Sequence, residues 1–195
     1  MIIWINGAFG VGKTQAAHEL HSRLPGSHVY NPEEIGFALH KTFPGSLKSG
    51  DFQDIPLWRL FNHQALKELA RHGDQTLIVP MTLAVPQYFR EVVGALREDG
   101  VEVYHFTLFA TKQTILRRLR GRGDGPNSWP VQQLERCLTA LQSREFATHV
   151  HADSMTVPQV AEVIAERVGV RLEPAQNPLR AGLRRLTSQI RPARR

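Results

Sequence analysis

Apolar positions along the 195-residue chain fall into two alternating rhythms. Five short runs, residues 1–6 (MIIWIN), 27–31 (SHVYN), 76–81 (TLIVPM), 101–109 (VEVYHFTLF) and 147–152 (ATHVHA), concentrate apolar, β-branched and aromatic residues and predict strands. Between and after them, apolar residues recur every three or four positions over 13–24, 32–40, 54–72, 86–99, 111–120, 131–143 and 157–168, which predicts helices. Pro32, Pro56, Pro86 and Pro158 stand at or near helix starts, where a missing N–H costs nothing, and Gly100 and Gly169 stand at helix ends. Strand alternating with helix predicts an α/β fold, a five-stranded parallel sheet with helices on both faces. Residues 41–53 and 121–130 (GRGDGPNSWP) are expected as loops, the second because its Gly and Pro density forbids regular structure.

Composition adds little to this until charge is considered. A chain of this length predicts one domain, and 42% hydrophobic with 22% charged residues is an ordinary globular balance. No apolar run approaches the roughly 20 residues of a spanning helix, and Met1-Ile2-Ile3-Trp4-Ile5 lacks the features of a signal peptide, so a cytoplasmic protein is expected. The single cysteine, Cys137, excludes an internal disulfide framework and reads as a thiol on a helix.

The formal net charge is +6, but six of the 24 basic residues (Arg180, Arg184, Arg185, Arg191, Arg194, Arg195) lie in 177–195, which holds no acid. The other 18 balance the 18 acidic residues, so the body is neutral and offers no basic total for a nucleic-acid partner. This divides the chain into a domain over 1–170 and a basic tail over 171–195. On a helix of 100° per residue, Leu179, Leu183, Leu186 and Ile190 fall within about 60°, which predicts a short amphipathic helix lying on an anionic membrane surface.

The chemistry announces itself after the first strand. Gly7-Ala8-Phe9-Gly10-Val11-Gly12-Lys13-Thr14 fits G-x-x-x-x-G-K-[ST] in full, between an apolar strand and an amphipathic helix. Its glycines let successive N–H groups point inward at a phosphate, and the helix N-terminus adds its dipole. Lys13 is expected to reach the β- and γ-phosphates of ATP, and the Thr14 hydroxyl to hold Mg²⁺. The acidic residue that usually closes a neighbouring strand and helps hold the metal is absent from Leu77-Ile78-Val79-Pro80-Met81-Thr82. Thr82 is left either to touch a metal-bound water or to serve the strand end structurally. The nine histidines form no convincing metal set, so no metal besides Mg²⁺ is expected.

The opening IIWINGAFGVGKTQ, DFQDIPLWRLFN at 51–62, LIVPMT at 77–82, and HFTLFA at 105–110 followed by LRRLRGR resemble the tunicamycin-resistance proteins of bacteria, over residues 1 to about 170. The resemblance implies a nucleotide-kinase-like fold with ATP at the loop and a lid, here about 117–130. It also implies ATP-dependent protection against tunicamycin, a nucleoside antibiotic with a uracil, sugars and a fatty acyl chain.

In kinases of this shape, lid cations neutralise the transferring phosphoryl group. Arg117, Arg118, Arg120 and Arg122 lie in that place, and the related kinases point to Arg118 and Arg122; the alternative is a solvated helix end. At the end of the second strand, where related kinases commonly carry an Asp base, this chain has Asn31. Glu33 is then the candidate general base, with Asp51 and Asp54 as others and Asp54 also the expected cap of the long helix. Trp58 and Arg59 stand beside the substrate side, Trp58 for a base or for the core, Arg59 for a pyrophosphate.

Three functions follow: a phosphotransferase that phosphorylates tunicamycin or a similar nucleoside antibiotic, an ATP-gated protein that sequesters it, and a small-metabolite kinase.

Overall fold

The computed structural model describes residues 1–47 and 50–175. Five strands, β1 (Ile2–Gly7), β2 (Ser27–Val29), β3 (Thr76–Pro80), β4 (Val103–Phe109) and β5 (His149–His151), pair in parallel in the order β2-β3-β1-β4-β5. β1 is central, and all six of its residues are buried, which its unbroken apolar run requires of a strand covered on both faces.

The helices are α1 (Lys13–Arg23), α2 (Pro32–Thr42), α3 (Pro56–His72), α4 (Pro86–Phe89), α5 (Ala95–Glu98), α6 (Lys112–Gly121), α7 (Trp129–Gln132), α8 (Leu134–Ala140) and α9 (Val157–Val168). The β1-to-β2 connection runs one way along the sheet and the later connections run the other. Right-handed crossovers therefore put α1 on one face and α3 to α5 on the other. In agreement, α1 packs on α9, and α3 packs on α5 and the turn before it. The P-loop α/β architecture expected from the sequence is present.

Several boundaries differ from the sequence expectation. The helix expected at 86–99 is interrupted by a π-helical turn, Arg90–Gly94, and the one expected at 131–143 is divided into α7 and α8. Trp129 and Pro130, assigned to a loop, open α7, where Pro supplies a preset φ. The 41–53 loop contains 3-10 turns at Gly45–Leu47 and Phe52–Asp54. Strands β2 and β5 are shorter than their apolar runs because each pairs on one side only and lies at a sheet edge.

Asp54 does not cap α3. Ile55 occupies that position, and the Asp54 carboxylate instead accepts from Tyr88 Oη at 2.8 Å.

Trp4, Trp58 and Phe146 are fully enclosed in the core. Chain after α9 folds back on α1, where Glu173 N–H donates to Arg23 O and Arg23 Nε donates to Glu173 O. The amphipathic stripe of the tail lies outside the described residues. No described helix is long and apolar enough to cross a membrane.

Candidate functional site

β1 ends where the phosphate loop begins, and the loop's backbone is held by partners distant in sequence. Asn6, fully buried, accepts the Gly7 N–H at 2.8 Å and the Leu83 N–H at 2.9 Å through Oδ1, and its Nδ2 donates to Leu83 O at 2.9 Å. Nδ2 also lies 3.3 Å from His105 Nε2, and His105 Nδ1 lies 3.0 Å from Ala147 O. Because a carbonyl only accepts, Nδ1 carries the proton and Nε2 receives the Asn6 donor. Burial lowers the His105 pKa to about 4, keeping the ring neutral. Thr82 Oγ1 donates to Gly7 O at 2.8 Å, so its hydroxyl serves the loop backbone.

The loop residues Gly7, Ala8, Phe9, Gly10, Val11, Gly12, Lys13 and Thr14 come together as one turn into α1. Gly12 is the N-cap in a left-handed conformation, φ 112°, and no side chain caps the helix. A Cβ added at Gly12 would meet nothing within 4 Å, so open space lies at an uncapped helix N-terminus. That is the geometry an anion requires. Lys13 Nζ donates to Gly7 O at 2.9 Å and Ala8 O at 3.1 Å and stands 5.3 Å from the Phe9 ring centroid. Thr14 is exposed in the first turn of α1, which suits a hydroxyl that would hold a metal carried by a nucleotide. Among the described residues no group of three or more His, Cys, Asp or Glu is arranged to hold a metal ion.

Burial lowers the Lys13 pKa to about 8, a shift that the Glu33 charge partly opposes and the Arg122 charge adds to. The unfolded chain therefore binds more protons between about pH 8 and 10.5, and stability attributable to this lysine rises with pH across that window. Nucleotide binding has the opposite sign, since phosphate oxygens require the ammonium form. Affinity for ATP is expected to fall roughly fivefold between pH 8 and 9, with proton uptake on binding near pH 8. Calorimetric titrations in two buffers of different ionisation enthalpy measure both, and an affinity flat from pH 7 to 9 would contradict the assignment.

The remaining candidates separate into two groups. Glu33 and Arg122 lie within electrostatic range of Lys13. Arg122 also pairs with Asp124, through Nε at 2.9 Å and Nη2 at 2.7 Å. Arg118 is engaged elsewhere: Nη1 donates to Val11 O at 2.8 Å and Nη2 to Ala152 O at 3.1 Å, clamping the loop to the end of β5. Arg117 and Arg120 are exposed. Asn31 is the N-cap of α2, its Oδ1 accepting the Glu33 N–H at 3.1 Å.

For Trp58 the structure selects the core alternative, and for Arg59 it corrects the expectation. Trp58 is enclosed, with Nε1 donating to Pro32 O at 3.0 Å, and has no face left for a base. Arg59 is 6% exposed and donates to Glu91 and Gln53 O, with its guanidinium 4.2 Å from the Tyr88 ring centroid, so it braces α3 rather than reaching for a pyrophosphate.

Sequence reasoning missed Asn6 and the contact between Phe9 and Trp129, whose rings meet edge to face at 4.8 Å across the loop and the 117–130 segment. Asn6 and Trp129 lie outside the phosphate-loop motif, and Phe9 fills one of its unspecified positions. On the acceptor side, Asp51 caps the Phe52–Asp54 turn and stands 3.9 Å from Arg136 of α8, and burial raises its pKa. Cys137, next along α8, is buried within the field of Lys13, and burial raises its thiol pKa.

Residues 2–144 match the family model described as an AAA domain. The solved structure of the Deinococcus radiodurans tunicamycin resistance protein is 41% identical, with a TM-score of 0.76 over 89% of this chain and 98% of that one. A sugar kinase from Janibacter sp. is 18% identical, with a TM-score of 0.61 over 87% of this chain and 94% of its own. A gluconokinase from Sinorhizobium meliloti is 14% identical, with a TM-score of 0.57 over 85% and 91%. At those identities the two kinases show a shared fold. No curated protein matches the chain. Identity of 41% across nearly the whole of both chains, on a shared phosphate-loop architecture, shows that the chain belongs to the tunicamycin resistance protein family within the AAA-domain P-loop proteins.

Proposed function

We propose that the protein is an ATP-dependent phosphotransferase that modifies tunicamycin or a similar nucleoside antibiotic. The observation that carries this reading is a phosphate-loop lysine at an uncapped helix N-terminus, Lys13, that feels the charges of an acid, Glu33, and a second cation, Arg122. A relative described as a tunicamycin resistance protein supports the choice of acceptor.

In this reading Lys13 binds the β- and γ-phosphates and the loop N–H groups orient them. When bound, the Mg²⁺ carried with ATP supplies further charge neutralisation, and Thr14 Oγ1 is the side chain placed to hold it. Arg122, once it exchanges Asp124 for phosphate, neutralises charge on the equatorial oxygens. Glu33 accepts the proton of the acceptor hydroxyl as the new phosphate ester forms and ADP leaves. Because phosphoryl transfer has a loose transition state, the hydroxyl loses this proton late and positioning carries most of the catalysis.

A second reading is an ATP-gated protein that sequesters the antibiotic unchanged. Two observations favour it: the segment just after β3 carries Thr82 rather than a carboxylate, and Asn31 is committed to capping α2.

Mass spectrometry of tunicamycin after incubation with protein, ATP and Mg²⁺ separates the two. A phosphate added to the drug, with stoichiometric ADP, is the expected result. Unmodified drug retained by the protein only when ATP is present would select sequestration.

A further inference from the structure

We propose that Thr82 is a positioning residue of the phosphate loop, whose hydroxyl keeps the Gly7 carbonyl hydrogen-bonded when Lys13 leaves it for a phosphate. The inference rests on the nucleotide-binding reading of the loop.

Lys13 Nζ donates to two loop carbonyls, Gly7 O and Ala8 O. To engage both the β- and γ-phosphates it has to give up at least one of them, because an ammonium has only three donors. Both carbonyls belong to buried residues, and a buried carbonyl left without a donor loses its whole hydrogen-bonding energy. Each of the two has a second donor. Ala8 O also receives the Val11 N–H at 3.2 Å, and Gly7 O also receives Thr82 Oγ1 at 2.8 Å. A carbonyl has two lone pairs, so both donors are accommodated at once. When the lysine departs, neither oxygen is orphaned.

The Thr82 hydroxyl is held where this task requires it. Thr82 is 3% exposed, and Asn6 grips the next residue from both sides, taking the Leu83 N–H and donating to the Leu83 carbonyl. The same Asn6 side chain takes the Gly7 N–H. The Gly7 peptide is therefore fixed at its N–H by Asn6 and at its oxygen by Thr82, independently of Lys13. This also accounts for a hydroxyl where a strand-end carboxylate is usual. An ionised carboxylate has no proton to donate and would repel the carbonyl oxygen.

The test compares wild type, Thr82→Val and Thr82→Ser, with and without Lys13→Met, by thermal melting without ligand and by calorimetric titration with ATP and Mg²⁺. In the unliganded protein Lys13 still serves Gly7 O, so Thr82→Val is expected to change the melting temperature little. In the Lys13→Met background Thr82 is the remaining donor, and the same substitution is expected to lower the melting temperature by several degrees more. ATP affinity is expected to fall about tenfold in Thr82→Val, the scale of one buried carbonyl losing its donor, and to return to within about threefold of wild type in Thr82→Ser.

Equal melting losses from Thr82→Val in the two backgrounds would overturn the proposal, as would wild-type ATP affinity in Thr82→Val. If wild type itself fails to bind ATP, the nucleotide reading falls. The pair of melting differences then still decides whether Lys13 and Thr82 share the carbonyl.

Discussion

Lys13→Ala is expected to weaken ATP binding by about two to four orders of magnitude while leaving the unliganded fold in place. The magnitude follows from two hydrogen bonds to charged phosphate oxygens, each contributing roughly 1.5–3 kcal/mol, at 1.4 kcal/mol per factor of ten. The fold survives because Lys13 bonds only to Gly7 O and Ala8 O, and both have other donors. Removing a cation whose pKa burial has already lowered also relieves a desolvation cost. Calorimetry with ATP and Mg²⁺, alongside a melting curve, measures the two quantities. A melting temperature lowered by more than about 4 °C would mean that the lysine has a larger structural role than its contacts indicate.

Gly7→Ala is expected to damage both stability and binding. Gly7 has φ 139°, which a side chain strains, and a Cβ there would lie 2.7 Å from the Leu108 carbonyl oxygen and 2.8 Å from Val11 Cγ1. The Leu108 oxygen belongs to β4 and is paired beside β1, so it has little freedom to retreat. Left-handed strain of about 1–3 kcal/mol and overpacking of about 1–3 kcal/mol add to a loss of roughly 2–6 kcal/mol. A shift of the loop would also break the Asn6 and Thr82 contacts to the Gly7 peptide, so residual folded protein should bind ATP poorly. Denaturant unfolding of the variant, with ATP titration of the folded fraction, checks this. A variant with wild-type stability would show that the loop relaxes without cost.

The contrast between these two substitutions shows how the site is constructed. The lysine is mounted so that it can move, whereas the glycine beneath it is packed so that it cannot. Sequence spacing finds both residues, because the motif names them together. It does not show that they differ in this way, because the difference lies in Leu108, Thr82 and Val11.

The same distinction runs through the acceptor side. Trp58 and Arg59 sit at the start of a helix predicted to flank the substrate, and their chemistry suited a nucleoside and a pyrophosphate. Pro32, Gln53, Glu91 and Tyr88 engage them instead. Asn31 looked like a missing base and is a helix cap, which its two-residue reach to the Glu33 N–H accomplishes locally. Arg118 and Arg122, four apart on one helix end, serve different partners: Arg118 holds the loop to the end of β5, while Arg122 turns toward Asp124 in the field of Lys13.

The amino-acid sequence by itself determined the alternation of strand and helix, the phosphate loop and the family resemblance. Those features are local: periodicity acts over three or four residues, and the loop's glycines, lysine and threonine are contiguous. Only the tertiary structure decided which polar groups share an atom. Asn6 reaches Leu83 across 77 positions and Arg118 reaches Val11 across 107. Those meetings depend on sheet order, which places β1 between β3 and β4 and thereby gathers the strand ends around Gly7. Strand order arises from how the crossovers pack, not from any run of residues, so the partners that hold and release Lys13 emerge only once the sheet is assembled.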